Sequence, residues 1–198
     1  MESEKRAQIL NLAKKRFERF GFNKTTVDEI AKDAGISKRT LYQEFENKAK
    51  ILEELLMFEA LSVRKAILNQ IGKISSPAEK LQTYIRLSNK YLEQNPFIVN
   101  VLNDASGFYA PFLKDKPHII EKGIEEIFTS ILKEGIEKGA FRRMDARVVG
   151  HFLFLLFKGF TYGRPNIATP VGTNQINEFI QFILQGVGAK HSESGGSP

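Results

Sequence analysis

Residues 25–48, TTVDEIAKDAGISKRTLYQEFENK, constrain the fold more than any other stretch, because they encode two short helices joined by a glycine turn. Thr26 and Glu29 form a capping box: the hydroxyl can accept from the Glu29 N–H while the carboxylate accepts from the N–H of Thr26. Val27, Ile30, Ala31 and Ala34 then recur at i, i+3, i+4 and i+7, so one face of this helix needs burial. Gly35 stops it, taking the left-handed conformation that lets Ile36 fold back onto Ala31. Ser37 supplies the N-cap oxygen of a second helix from Lys38 to Phe45, with Leu41 and Phe45 facing inward. Arg39 and Gln43 lie opposite them, and Thr40, Tyr42 and Glu44 flank that exposed side. A guanidinium can fork onto guanine, an amide can pair bidentately with adenine, and a threonine suits a thymine edge. A helix of this make-up fits a major groove.

The pattern extends from residue 9 to residue 52 through Ile9-Leu10, Ala13, Phe17, Gly21-Phe22, Thr25-Thr26-Val27, Ile30-Ala31, Ala34-Gly35-Ile36-Ser37, Thr40-Leu41-Tyr42, Phe45, Lys48 and Leu52. In identity, order and spacing it resembles the DNA-binding domain of the TetR family of bacterial transcriptional regulators, over roughly the first quarter of the chain. The resemblance implies that Arg39, Thr40, Gln43 and Glu44 face bases while Thr25, Thr26, Tyr42 and Lys48 hold phosphates. Ser37 and Lys38 complete the DNA-binding set. Glu44 departs from the family, which more often has an aromatic residue or histidine there. It is either a reader of a cytosine amino group or the i,i+4 partner of Lys48, and the pairing is the favoured expectation. The resemblance further implies about nine helices, three for DNA and six for a ligand-binding core whose last two helices dimerise. The expected division is 1–46 for DNA, 47–190 for effector binding and dimerisation, and 191–198 as a disordered tail.

The 198 residues are 42% hydrophobic, enough for a core, and contain no cysteine for a disulfide, thiolate zinc site or thiol nucleophile. The N-terminal segment MESEKRAQ lacks a signal-like apolar run, so a cytoplasmic protein is expected. The formal net charge is +6, and the first fifty residues carry Lys5, Arg6, Lys14, Lys15, Arg16, Arg19, Lys24, Lys38, Arg39, Lys48 and Lys50. Beside a reading helix, that crowding points to double-stranded DNA.

Further along, Glu4–Phe20 reads as a first helix ended by Gly21, and 47–71 as one long helix capped by Asn47 that can act as a connecting rod. Ser76-Pro77-Ala78-Glu79 starts a helix running to Gln94, and Asn95-Pro96 starts a shorter one to Leu102. Residues 104–117 are aperiodic yet aromatic. A helix follows from Ile119 and stops before Gly139, Asp145 caps another, and the chain's final helix spans 174–187. Residues 146–162 are apolar nearly all round, as a helix with neighbours on both sides would be. Their apolar run is too short for a membrane span, so Gly159 and Gly163 fit close packing within a folded protein. No strand pattern appears, and the expected fold is all-α.

Tyr84, Tyr91, Phe97, Phe108, Tyr109, Phe112 and Phe157 are the candidate lining of an effector pocket, since aromatic concavities with few polar groups hold small apolar molecules. Ordinary core packing is the competing reading for each. Catalysis is not expected: His118, His151 and His191 are far apart, and no metal-binding, nucleophile-elbow or phosphate-loop motif occurs. No cofactor or metal is called for. The alternative to a ligand-responsive repressor is an architectural protein that binds DNA without an effector.

Overall fold

The computed structural model describes residues 2–104, 107–162 and 172–189. Ten helices form its regular structure: α1 (Glu2–Phe20), α2 (Val27–Asp33), α3 (Lys38–Glu44), α4 (Lys48–Ile71), α5 (Pro77–Gln94), α6 (Pro96–Leu102), α7 (Ala110–Leu113), α8 (Lys116–Glu137), α9 (Ala146–Thr161) and α10 (Thr173–Val187). Among the described residues no strand forms, and one isolated bridge joins Phe141 to Gly188. The expected tail at 191–198, His191 and Gly163 lie outside the described residues.

The chain divides into two compact units, Met1–Lys65 with Asn95–Ile120, and Ala66–Gln94 with Glu121–Pro198. In the first, both predicted glycine stops form. Gly21 has φ +83° and donates to the Phe17 carbonyl at 3.0 Å. Gly35 has φ +64°, and the N–H groups of Gly35 and Ile36 donate to Lys32 and Ala31 at 3.1 and 3.0 Å, the paired bonds of a Schellman ending. Ile9, Ala13, Phe17, Ile30, Ala31, Leu41, Phe45, Leu52 and Leu55 bury one shared core.

The tenth helix is α7, within the stretch that periodicity reads as a loop. Its cause lies upstream: the Asp104 carboxylate accepts from the backbone N–H groups of Phe108, Tyr109 and Ala110 at 2.8, 2.6 and 2.8 Å, organising the turn that leads into it. A four-residue helix leaves no periodic trace. Asn95 makes no side-chain cap for α6; its Oδ1 accepts from Lys14 Nζ at 2.6 Å instead.

The second unit is built on α5, the body of α8, α9 and α10. Tyr84 meets Phe128 edge-on at 5.2 Å, and Phe128 meets Phe157 at 5.9 Å, forming an aromatic centre among Leu81, Ile85, Leu132 and Ile180. Gly150 lets α9 approach α8 closely, since a Cβ there would lie 2.4 Å from Thr129 Oγ1 and 3.1 Å from its Cα. The all-round apolar character of α9 resolves into two faces. Gly150, Leu153, Phe154 and Phe157 are buried, while Val148, Phe152, Leu155 and Leu156 remain exposed at 45–55%. Phe182 of α10 is exposed at 66%.

Candidate nucleic-acid interface

Local bonds set the reading head before any packing does. Thr26 and Glu29 form the reciprocal box, with the Thr26 N–H donating to Glu29 Oε2 at 2.8 Å and the Glu29 N–H to Thr26 Oγ1 at 3.3 Å. Ser37 Oγ accepts from the Thr40 N–H at 3.0 Å and shares a hydrogen bond with Thr40 Oγ1 at 2.8 Å. Leu41 is fully buried beneath α3. On the other side Arg39, Tyr42 and Gln43 are exposed, and Arg39 and Gln43 make no hydrogen bond or ion pair among the described residues. Their donors and acceptors are therefore open to a base edge. Lys38 is exposed too and pairs with Asp28 at 2.8 Å, within α3's neighbour α2.

Two expectations change here. Glu44 does not pair with Lys48: its carboxylate turns back to α1, 3.0 Å from Lys5 Nζ and 3.5 Å from Arg6. An acid at the end of a helix meets cations held by another helix more closely than one a turn ahead that is already engaged. Lys48 is engaged because its ammonium donates to the carbonyls of Phe22 at 2.7 Å, Thr25 at 2.9 Å and Asn23 at 3.4 Å, over the Phe22 ring at 4.5 Å. Burial holds it below the usual lysine range. Thr25 is buried likewise, its hydroxyl donating to the Gly21 carbonyl at 2.9 Å. Both side chains organise the α1–α2 loop from within.

Many of the remaining cations are also committed internally. Arg6 forks onto Glu54 at 2.8 and 2.9 Å and lies 4.4 Å over the Phe45 ring. Lys14 pairs with Glu59 at 2.8 Å, Arg16 with Glu29 at 3.3 Å and with Asp33, and Lys50 with Glu53 at 3.1 Å. Lys15, Lys24 and Arg39 are exposed with no ion pair among the described residues. Much of the basicity of the first fifty residues is thus taken up in ion pairs, and Lys15, Lys24 and Arg39 are among the cations that face outward.

The family model for bacterial regulatory proteins of the tetR family matches residues 9–55, which contain α2, α3 and Lys48. Over those residues the chain matches the TetR family. The HTH-type transcriptional repressor KstR2 of Mycolicibacterium smegmatis is similar to it, 29% identical over 201 residues and 96% of each chain. Among solved structures, the ketosteroid transcriptional regulator KstR2 of Mycobacterium tuberculosis aligns with a TM-score of 0.60 at 25% identity, covering 93% of this chain and 95% of that one. The fatty acid degradation regulator FadR from Bacillus halodurans shares the fold, with a TM-score of 0.71 at 23% identity over 91% of this chain and 93% of that one. The chain is a DNA-binding transcriptional regulator.

The seven aromatic residues expected to line an effector pocket are divided between the units. Phe97, Phe108, Tyr109 and Phe112 belong to the first unit, gathered around Phe22. Phe22 lies 6.4 Å from Phe108, 6.2 Å from Tyr109 and 5.2 Å from Phe112, and Phe97 lies 6.0 Å from Phe17. Tyr84, half-buried Tyr91 and Phe157 belong to the second. Sequence periodicity does not reveal that α6 and α7 pack in the unit that carries the helix-turn-helix. Phe22, following the Gly21 stop, is the residue that receives them. Among the described residues no group of three or more His, Asp or Glu side chains could hold a metal, and no helix is long and apolar enough to cross a membrane.

Proposed function

We propose that this TetR-family regulator is a repressor that binds a palindromic operator as a two-fold dimer and is released by a small apolar or amphipathic effector. The observation that carries the dimer is the exposed face of α9. Val148, Phe152, Leu155 and Leu156 fall at i, i+4, i+7 and i+8 on one stripe, and Phe182 on α10 is more exposed than any of them. An apolar stripe on a soluble helix bundle marks an association surface, and two helices meeting their two-fold copies make a four-helix contact. Two reading helices related by that axis would sit about 34–36 Å apart, or at a multiple of one DNA turn.

The release step is supported by the aromatic packing of α6 and α7 on Phe17 and Phe22, within the unit that carries the reading helix. Lys14 also ties α1 to Asn95 at the start of α6, and Lys116 at the start of α8 lies 3.4 Å from Glu53 on α4. An effector that shifts α6 and α7 therefore acts on the loop that Lys48 organises, one turn from the first helix of the reading pair. A ligand changes DNA affinity only through its differential affinity for the two states. An apolar effector agrees with the aromatic content and with the ketosteroid regulator to which the chain is similar.

A genomic footprint of the bound protein tests the regulator: protected sites should share an inverted repeat spaced by a whole DNA turn. Titration of a co-purified or screened small molecule with and without that operator tests release. Coupling of about 1–3 kcal/mol corresponds to roughly 5–150-fold weaker operator binding, and the operator must weaken the ligand by the same factor. Equal ligand affinity in both titrations leaves an effector-free DNA-binding protein.

A further inference from the structure

The residue after α9 carries a hydroxyl left unsatisfied among the described residues. Tyr162 is 1% exposed, and its oxygen has no hydrogen-bond partner there. The polar groups beside it in sequence do better: Thr161 Oγ1 donates to the Phe157 carbonyl at 2.7 Å, and Lys158 Nζ pairs with Glu121 at 2.5 Å. A phenylalanine would keep the ring's packing and avoid the cost of stripping water from an unpaired hydroxyl. Glu121 of α8 and Tyr84 of α5 both bear on the ionisation of Tyr162, after burial. Tyr84 in turn leads through Phe128 to Phe157, the aromatic centre of this unit.

We propose that Tyr162 is the polar anchor of the effector site, donating to an uncharged carbonyl or hydroxyl oxygen of an otherwise apolar molecule packed against Tyr84, Phe128 and Phe157. The proposal rests on the reading of the chain as an effector-released repressor. The donor is the phenol's proton, because burial, Glu121 and Tyr84 all push Tyr162 far above the ordinary tyrosine range and keep it protonated. The same surroundings oppose a second anion, so a carboxylate is the wrong acceptor and a ketone, ester or alcohol oxygen the right one. A buried water needs two to four polar partners, whereas a carbonyl on an apolar skeleton is satisfied by this single donor.

The test compares wild type with Tyr162→Phe in the full-length protein, using methyl dodecyl ketone, tetradecane and myristate as one matched set and progesterone with pregnane as a second. Affinity is read by the shift of the thermal unfolding midpoint with probe concentration. At least one ketone should bind wild type more tightly than its hydrocarbon and than myristate, and Tyr162→Phe should lose about tenfold of that affinity, the equivalent of one hydrogen bond. Without probe, Tyr162→Phe should unfold at the wild-type temperature or above it. A lower midpoint for the probe-free variant would mean that the hydroxyl is already satisfied, as by a buried water, and would overturn the proposal. Equal ketone affinity in both proteins, preference for myristate, or failure of both ketones to bind would overturn it as well. Binding of wild type to its footprinted operator without probe is measured alongside, so a failure of the regulator reading is seen separately.

Discussion

Lys48 offers the sharpest separation between what its position implies and what its surroundings allow. The resemblance assigns it to a phosphate, but an ammonium has three protons, and here they go to the carbonyls of Phe22, Thr25 and Asn23. Lys48→Met keeps the apolar stem over the Phe22 ring and removes only the donors. Hydrogen bonds to a charged group contribute about 1.5–3 kcal/mol each when well formed, but the loop is partly open to water that can replace them. A total near ~2 kcal/mol is expected, which for a chain of this size lowers the unfolding midpoint by roughly 4–8 °C. The salt dependence of operator binding should stay the same, because no condensed counterion is released by a cation already engaged. Lys24→Met, on the exposed end of the same loop, should leave the midpoint alone and flatten the slope of log affinity against log salt by about 0.9. Calorimetry and fluorescence anisotropy between low and physiological salt measure both quantities. A Lys48→Met protein with an unchanged midpoint and a slope flatter by one unit would refute this account.

Three further outcomes follow from the same geometry. Arg39→Ala or Gln43→Ala should cost about 1–3 kcal/mol of operator affinity and relax preference at one base pair per half-site; a uniform loss across operator variants would remove them from the reading set. Leu155→Lys or Phe182→Lys should give monomers by light scattering, since each places an ammonium in a contact that otherwise gains about 1 kcal/mol per half-buried side chain; a monomeric wild type at micromolar concentration would refute the dimer. Phe179 is a poorer probe, being buried and stacked on Phe160 at 4.5 Å in its own chain. Glu29 titrates below its ordinary value near 4.5 because the Thr26 N–H and hydroxyl donate to it, and Asp33 is held down by Arg16. Depressed carboxylates contribute stability that is present above their unfolded values and lost as pH falls through the folded ones. The unfolding midpoint should therefore drop on acidification below about pH 4.5, and Glu29→Gln should flatten that drop, as differential scanning calorimetry across that range would register.

The sequence alone determined whatever depends on neighbours along the chain. The Thr26–Glu29 box, the Ser37 cap, the left-handed glycines at 21 and 35 and the inward turn of Leu41 are all bonds or contacts spanning fewer than six residues, and residue type at fixed spacing specifies them. So are the start of α4 at Asn47, whose Oδ1 accepts from the Lys50 N–H at 2.8 Å, and the cap at Asp145. Tertiary structure decided whatever depends on competition between distant partners. Glu44 could bond Lys48 or a cation elsewhere, and only the placement of α1 gives it Lys5 and Arg6. Lys48 could serve a phosphate or the chain, and only the path of the α1–α2 loop brings three carbonyls within its reach. The aromatic residues show the same limit, because a phenylalanine's spacing marks it as buried without saying against what, and α6 and α7 met Phe22 while Tyr84 and Phe157 met Phe128. Tyr162 is the extreme case: its hydroxyl is buried with no partner among the described residues, which no local pattern records.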